Sequence, residues 1–129
     1  MLDDARKIDS EDAIGDFLDE TRRLHDSCIT SVEFRDGRFV DEHGSMHCGL
    51  GDQASLVLKI ESQIGRRKYL LTFEGVTRFT YDHDAADDGL ITSCAVSMTD
   101  GEIQFACNPG GSGANPLVRA KAFRYRILD

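Results

Sequence analysis

Two histidines, a cysteine and two carboxylates crowd into Asp41-Glu42-His43-Gly44-Ser45-Met46-His47-Cys48. Imidazole, thiolate and carboxylate are ligands that zinc accepts, and a loop here could bring His43, His47 and Cys48 to one ion. The spacing is not that of a zinc finger and no second ligand pair follows, so the competing reading is a polar surface loop. His25-Asp26-Ser27 holds the letters of a nucleophilic triad. Adjacent side chains diverge, however, whereas a triad converges from distant segments. The reading favoured for these three is a helix end, with His25 near the C-terminal dipole and Asp26 and Ser27 bonding local backbone. Asp82-His83-Asp84 with Asp87-Asp88-Gly89 echoes a calcium loop. Ala86 stands where an alternate ligand belongs and no glutamate closes the loop, which leaves a solvated turn. Gly110-Gly111-Ser112-Gly113 lacks the lysine and following helix of a phosphate-binding loop. No set converges, so no catalysis and no cofactor are identified, and a non-enzymatic protein is expected.

Charge narrows the partners. The chain has 129 residues, 40% hydrophobic and 29% charged, with a net charge of −8. One globular domain over 1–129 fits that length and composition. An acidic protein repels nucleic-acid phosphates and anionic membrane in its average field. Acids dominate the start, from Asp3 and Asp4 through Glu20, while bases gather at Arg66, Arg67, Lys68 and at Arg119, Lys121, Arg124, Arg126. Arg66, Arg67, Lys68, Arg119 and Lys121 would make one patch for an acidic partner protein if their strands are neighbours. No basic n-region with an apolar run opens the chain, and no apolar run is long enough to span a bilayer, so the expected location is cytoplasmic. There Cys28, Cys48, Cys94 and Cys107 should be reduced.

The elements that must position these residues follow from periodicity. Ile14, Phe17, Leu18, Thr21 and Leu24 recur at helical spacing, which predicts one amphipathic helix over about 10–25, capped by Asp9 or Ser10. From Cys28 the period becomes two. Asp36-Gly37 predicts a tight hairpin whose return strand starts at Arg38 and sets Phe39 against Phe34, followed by a loop over 41–53 with Gly44, Gly49 and Gly51. Strands then follow around Leu56–Ile60 and Tyr69–Tyr81, with a bulge or bend at Gly75. Leu90–Met98 and Glu102–Cys107 form a hairpin about Asp100-Gly101, which opposes Met98 to Ile103, Val96 to Phe105 and Cys94 to Cys107. All three pairs are apolar, and a one-residue slip would destroy the match. Two buried free thiols are the favoured state for Cys94 and Cys107. After a flexible Gly-rich connection over 108–116, the strand Val118–Leu128 switches parity near Ala122-Phe123, which signals a bulge or an edge strand. The expected fold class is α+β: an N-terminal helix packed on a curved, mostly antiparallel meander of about 7–8 strands over about 28–128, curled or partly closed as a barrel.

Leu24-His25-Asp26-Ser27-Cys28-Ile29 with Val32, the central Leu71-Thr72-Phe73-Glu74-Gly75-Val76, and the closing Ala120 to Ile127 resemble corresponding segments of a loose group of small bacterial β-meander proteins. That group is mostly uncharacterised and includes immunity proteins of toxin systems. The resemblance implies the fold and supplies no catalytic residues. Together with the acidity, it leads to a cytoplasmic bacterial protein-binding module of the immunity or inhibitor type. The alternatives are a small-ligand carrier with a barrel-like cavity, or a zinc-dependent site at 41–48. A homodimer through an edge strand, the last one being the candidate, is compatible with each.

Overall fold

Cys94, Val96 and Met98 alternate with polar positions, as a strand with one buried face requires, and Asp100-Gly101 is a tight-turn pair. The computed structural model describes residues 5–48, 53–110 and 113–128. In it Cys94 lies across from Cys107, Val96 from Phe105 and Met98 from Ile103, the register expected from the sequence. Asp100 and Gly101 both take positive φ, 53° and 80°, the conformation a two-residue hairpin of this twist demands. The strands in chain order are β1 (Arg6–Lys7), β2 (Ser27–Arg35), β3 (Phe39–Val40), β4 (Met46–His47), β5 (Ser55–Ser62), β6 (Lys68–Thr80), β7 (Cys94–Thr99), β8 (Glu102–Cys107) and β9 (Leu117–Leu128), with one α-helix, α1 (Glu11–Glu20). The predicted loop glycines Gly49, Gly51 and Gly111, together with Ser112, Asp3 and Asp4, lie outside the described residues.

The fold is α+β and antiparallel throughout, but its sheet is not one continuous meander. The order is β2-β5-β6-β9-β8-β7, with β1 also on β9. Two three-stranded runs therefore meet where β6 pairs with β9 over nearly their full lengths. The chain leaves β6, crosses to the far edge, and returns through β7 and β8 to β9. The last strand is consequently interior: β6 takes one side, while β8 and β1 share the other. This corrects the reading of it as an edge. The seven-stranded sheet is not closed. Its outer strands are β2 and β7, and Ser27 of β2 forms an isolated bridge with Ile91, a residue that precedes β7.

Length and curl come from one coordinated bend. Phe73 and Val76 are both buried on β6, as are Ala120 and Phe123 on β9, so both strands change face together. Gly75 sits at the change with φ +65°, and a Cβ there would lie 3.0 Å from that of Lys121. Only glycine passes that crossing without strain. The extra unpaired residue falls slightly later than expected, at Thr77, between the pairs Val76–Ala120 and Arg78–Arg119.

The helix is shorter than its periodicity suggests. Ser10 accepts a hydrogen bond from the Ala13 N–H at 3.1 Å, and Ile14 and Phe17 turn inward. After Glu20 the Thr21 hydroxyl donates to the Phe17 carbonyl at 2.7 Å. Arg22, Arg23 and Leu24 then adopt φ of 53°, 54° and 56°. Left-handed turns cost L-residues roughly 1–2 kcal/mol each. The turn drives Leu24 into the core with no exposed surface, which offsets part of that cost through apolar burial. The expected i+3 and i+4 apolar spacing thus continues to Leu24, but across a reversal of hand that periodicity alone does not reveal.

The hairpin at Asp36-Gly37 also differs from expectation. β3 pairs with β4, Phe39 across from His47 and Val40 across from Met46, while β2 pairs with β5 and sets Phe34 against Leu56. The chain makes an excursion from Gly37 and returns beside it at Gln53. Gly37 has φ +86°, and a Cβ there would stand 2.7 Å from the Gln53 Cβ and 2.8 Å from its carbonyl carbon. Gly37→Val should lower stability by about 2 kcal/mol or more, through positive φ and this backbone collision. Urea unfolding measures it, and an unchanged midpoint would refute so tight a crossing.

Candidate functional site

Sequence position alone does not bring the candidate residues together; the sheet decides that. Asp41 organises the short β3–β4 hairpin. Its carboxylate accepts from the His43 and Ser45 backbone N–H groups, each at 2.9 Å, and meets His47 Nε2 at 2.8 Å. The hydrogen bond to His47, followed by that from Ser45, holds the Asp41 carboxyl below its ordinary value. The His47 ring also stacks on Phe39, 4.5 Å between centroids and 4° from parallel. His43 lies outward near Glu42, 3.4 Å away, and Cys48 is an exposed free thiol. Among the described residues no three His, Cys, Asp or Glu side chains group as a metal site.

The triad-like letters separate. Carbonyls accept only, so His25 Nδ1–H donates to the Thr92 carbonyl at 2.8 Å, while Nε2 lies 3.4 Å from Asp26. Ser27 is buried and its Oγ has no hydrogen-bond partner within the protein. With both imidazole nitrogens directed elsewhere, His25 does not activate Ser27. Cys94 and Cys107 are free and buried. Burial pushes the Cys94 thiol up to about 12 and Cys107 well above its ordinary value, which leaves neither as a thiolate nucleophile near neutrality.

The basic groups lie on neighbouring strands, with Arg126 and Arg124 of β9 across from Leu70 and Thr72, close to Lys68, and Arg119 and Lys121 farther along. Lys68 pairs with Leu128 at one end of β6–β9, whereas Arg119 pairs with Arg78 near the other. At ~3.3 Å per residue, Lys121 stands ~23 Å along β9 from that first end. Arg66 occupies a turn with φ 56°. Arg67 enters a polar groove of about 760 Å³ that Arg6, Asp16, Glu20 and Tyr69 help line. Within that groove Arg6 bonds Glu20 at 3.0 Å, and the Tyr125 hydroxyl donates to the same carboxylate at 3.1 Å. Lys68 approaches Glu61 at 3.9 Å, and Arg119 donates to Gln104 at 3.2 Å.

A second groove, about 850 Å³, lies between the acidic loop and the Gly-rich connection. Its walls are pinned by two asparagines. Asn115 accepts from Asp82 N–H at 2.9 Å and donates back to the Asp82 carbonyl at 2.7 Å. Asn108 accepts from Thr92 and donates to the Leu90 carbonyl at 3.0 Å. Asp84, Asp87 and Asp88 each accept from a backbone N–H two residues on. These carboxylates fold their own loop, as the solvated-turn reading holds.

Apolar surface is concentrated elsewhere. Phe39, Val40 and Met46 on the hairpin are 52%, 60% and 69% exposed, and Val32 and Phe34 on β2 are 37% and 43% exposed. Phe34 stands 5.4 Å from Phe79. Sequence reasoning missed this surface because it placed Phe39 on the main sheet. The available signal was the lack of alternation around Phe39-Val40 and Met46. The interior is filled instead by Phe17, Phe73, Phe105 and Phe123.

The class the fold defines is therefore an antiparallel α+β protein with a separate two-stranded hairpin that exposes Phe39, Val40 and Met46. No family model, curated protein or solved structure matches the chain. Among the described residues, no helix is long and apolar enough to cross a membrane.

Proposed function

We propose that this is a non-enzymatic protein-binding module of the bacterial cytoplasm, of the immunity or inhibitor type, and that the β3–β4 hairpin is its contact. The observation that carries this reading is the exposure of Phe39, Val40 and Met46 on a two-stranded finger. An isolated hairpin of this kind is marginal in water, and exposed aromatic and methionine side chains are the residues that interfaces recruit. Asp41, with its bonds to His43, Ser45 and His47, pre-organises the finger and limits the entropy lost on binding.

Co-expression with the products of neighbouring genes tests the proposal. The wild-type chain should retain one of them through purification. Phe39→Ser combined with Met46→Ser should weaken that capture at least ~10-fold while leaving the melting temperature nearly unchanged, since neither side chain supports the core. Equal capture by the two proteins would sink the hairpin as the contact.

A further inference from the structure

The two outer strands of the sheet differ in cover. Helix α1 and the left-handed turn after it lie beside β7. β2 is bridged at Ser27 to Ile91 and then runs exposed from Thr30 to Arg35. Its outward N–H and C=O groups form a template for another strand. Val32 and Phe34 lie across from Leu58 and Leu56, both fully buried. Opposed residues in an antiparallel pair share a face. The apolar core face therefore runs past β5 and ends in solvent on Val32 and Phe34.

The sequence of this edge is complementary to itself. Pairing two copies antiparallel about Phe34 places Phe34 against Phe34 of the partner subunit. It also sets Glu33 opposite Arg35 of the partner subunit and Arg35 opposite Glu33 of the partner subunit, while Val32 falls opposite Asp36 of the partner subunit, just past the end of β2. The alternatives are poorer. A centre on Glu33 opposes like charges, which is unfavourable. A centre on Val32 brings Phe34 opposite Thr30, where the β2–β5 register slips between Ile29 and Ser31. Registers centred between residues set the apolar face of one copy beside the wet face of the other.

We infer that β2 binds β2 of a second copy in this register, which joins the two sheets and covers Phe34. This goes beyond the binding-module reading, because the dimer stands whether or not another protein engages the hairpin.

Sedimentation velocity on the full chain, alone, tests it. The wild type should dimerise at micromolar to high-micromolar concentration. Glu33→Arg and Arg35→Glu each convert two symmetry-related opposite-charge pairs into like-charge pairs, so each should weaken the dimer about tenfold. The double variant that exchanges the two charges should regain wild-type dimerisation. Both side chains are exposed, at 62% for Glu33 and 77% for Arg35, so the monomer fold should hold in all three variants, as circular dichroism would verify. A wild type that stays monomeric overturns the inference, as does a dimer indifferent to the single reversals. A monomer that still captures a neighbouring gene product through its hairpin overturns the dimer and leaves the proposed function standing.

Discussion

Phe123→Ala should destabilise the protein by about 3–5 kcal/mol, the range for removing a fully buried phenylalanine without refilling the space. The side chain has no exposed surface and joins three others. It stacks on Phe73 at 4.5 Å and 12°, meets Phe17 edge-on at 5.3 Å, and lies 5.8 Å from Phe105. Phe73 is its direct partner across β6–β9, Phe105 belongs to β8, and Phe17 is one of the two inward residues of α1. One truncation therefore loosens the junction of the two three-stranded runs and the seat of the helix. Urea unfolding should show a loss near half of a typical domain's stability. Val57→Ala, half-buried on β5, should cost far less. A Phe123→Ala protein within ~1 kcal/mol of wild type would mean that the aromatic cluster is not the organising core.

How legible this architecture is from sequence depends on the range of the interactions. The β7–β8 register can be read because Asp100-Gly101 sets it locally and three apolar pairs check it. The β5–β6 pairing has similar local support, with Leu56, Leu58 and Ile60 facing Phe73, Leu71 and Tyr69. The β6–β9 pairing is invisible to such reasoning, because the partners are separated by the acidic loop and the whole second hairpin. The parity switch of the basic residues on β9 is compatible with a bulge or an edge strand; on this interior strand the charges occupy the wet face. Arg124 there approaches Glu74 at 3.9 Å.

The site shows the same division. His25, Asp26 and Ser27 read as a helix end, and the structure places them just after a left-handed turn whose hand comes from burying Leu24, a tertiary effect. His43, His47 and Cys48 are near in sequence and share a hairpin, but Asp41 takes His47 for itself. Whether Phe39, Val40 and Met46 are core or surface depends on β3 choosing β4 over β2. The excursion closes where Gly37 passes against Gln53, a contact that no local pattern encodes. The exposed apolar surface is thus hidden from sequence reasoning by a single strand-pairing choice.

Alkaline pH should reveal the buried thiols as a loss of stability. The Cys94 thiol is raised by burial from 9.0 to about 12. Cys107 is raised by burial and then by Cys94 opposite it. Tyr125 moves the same way through burial, with Glu20 adding to it. A raised pKa means that the folded state holds its proton more tightly than the unfolded chain does. Unfolding then releases protons in this window, and stability falls as pH rises. The contribution is whole below about pH 9 and declines through about 12, by ~4 kcal/mol for Cys94 at ~1.4 kcal/mol per pH unit. Roughly two-thirds of that should be gone by about pH 11. Urea midpoints between pH 8 and pH 11 would record the decline, and Cys94→Ala isolates the part that this thiol contributes. The variant should begin less stable because a buried side chain is trimmed, yet lose distinctly less per pH unit. Parallel declines in the two proteins would show that Cys94 does not govern the alkaline limb, and that Cys107 or Tyr125 does.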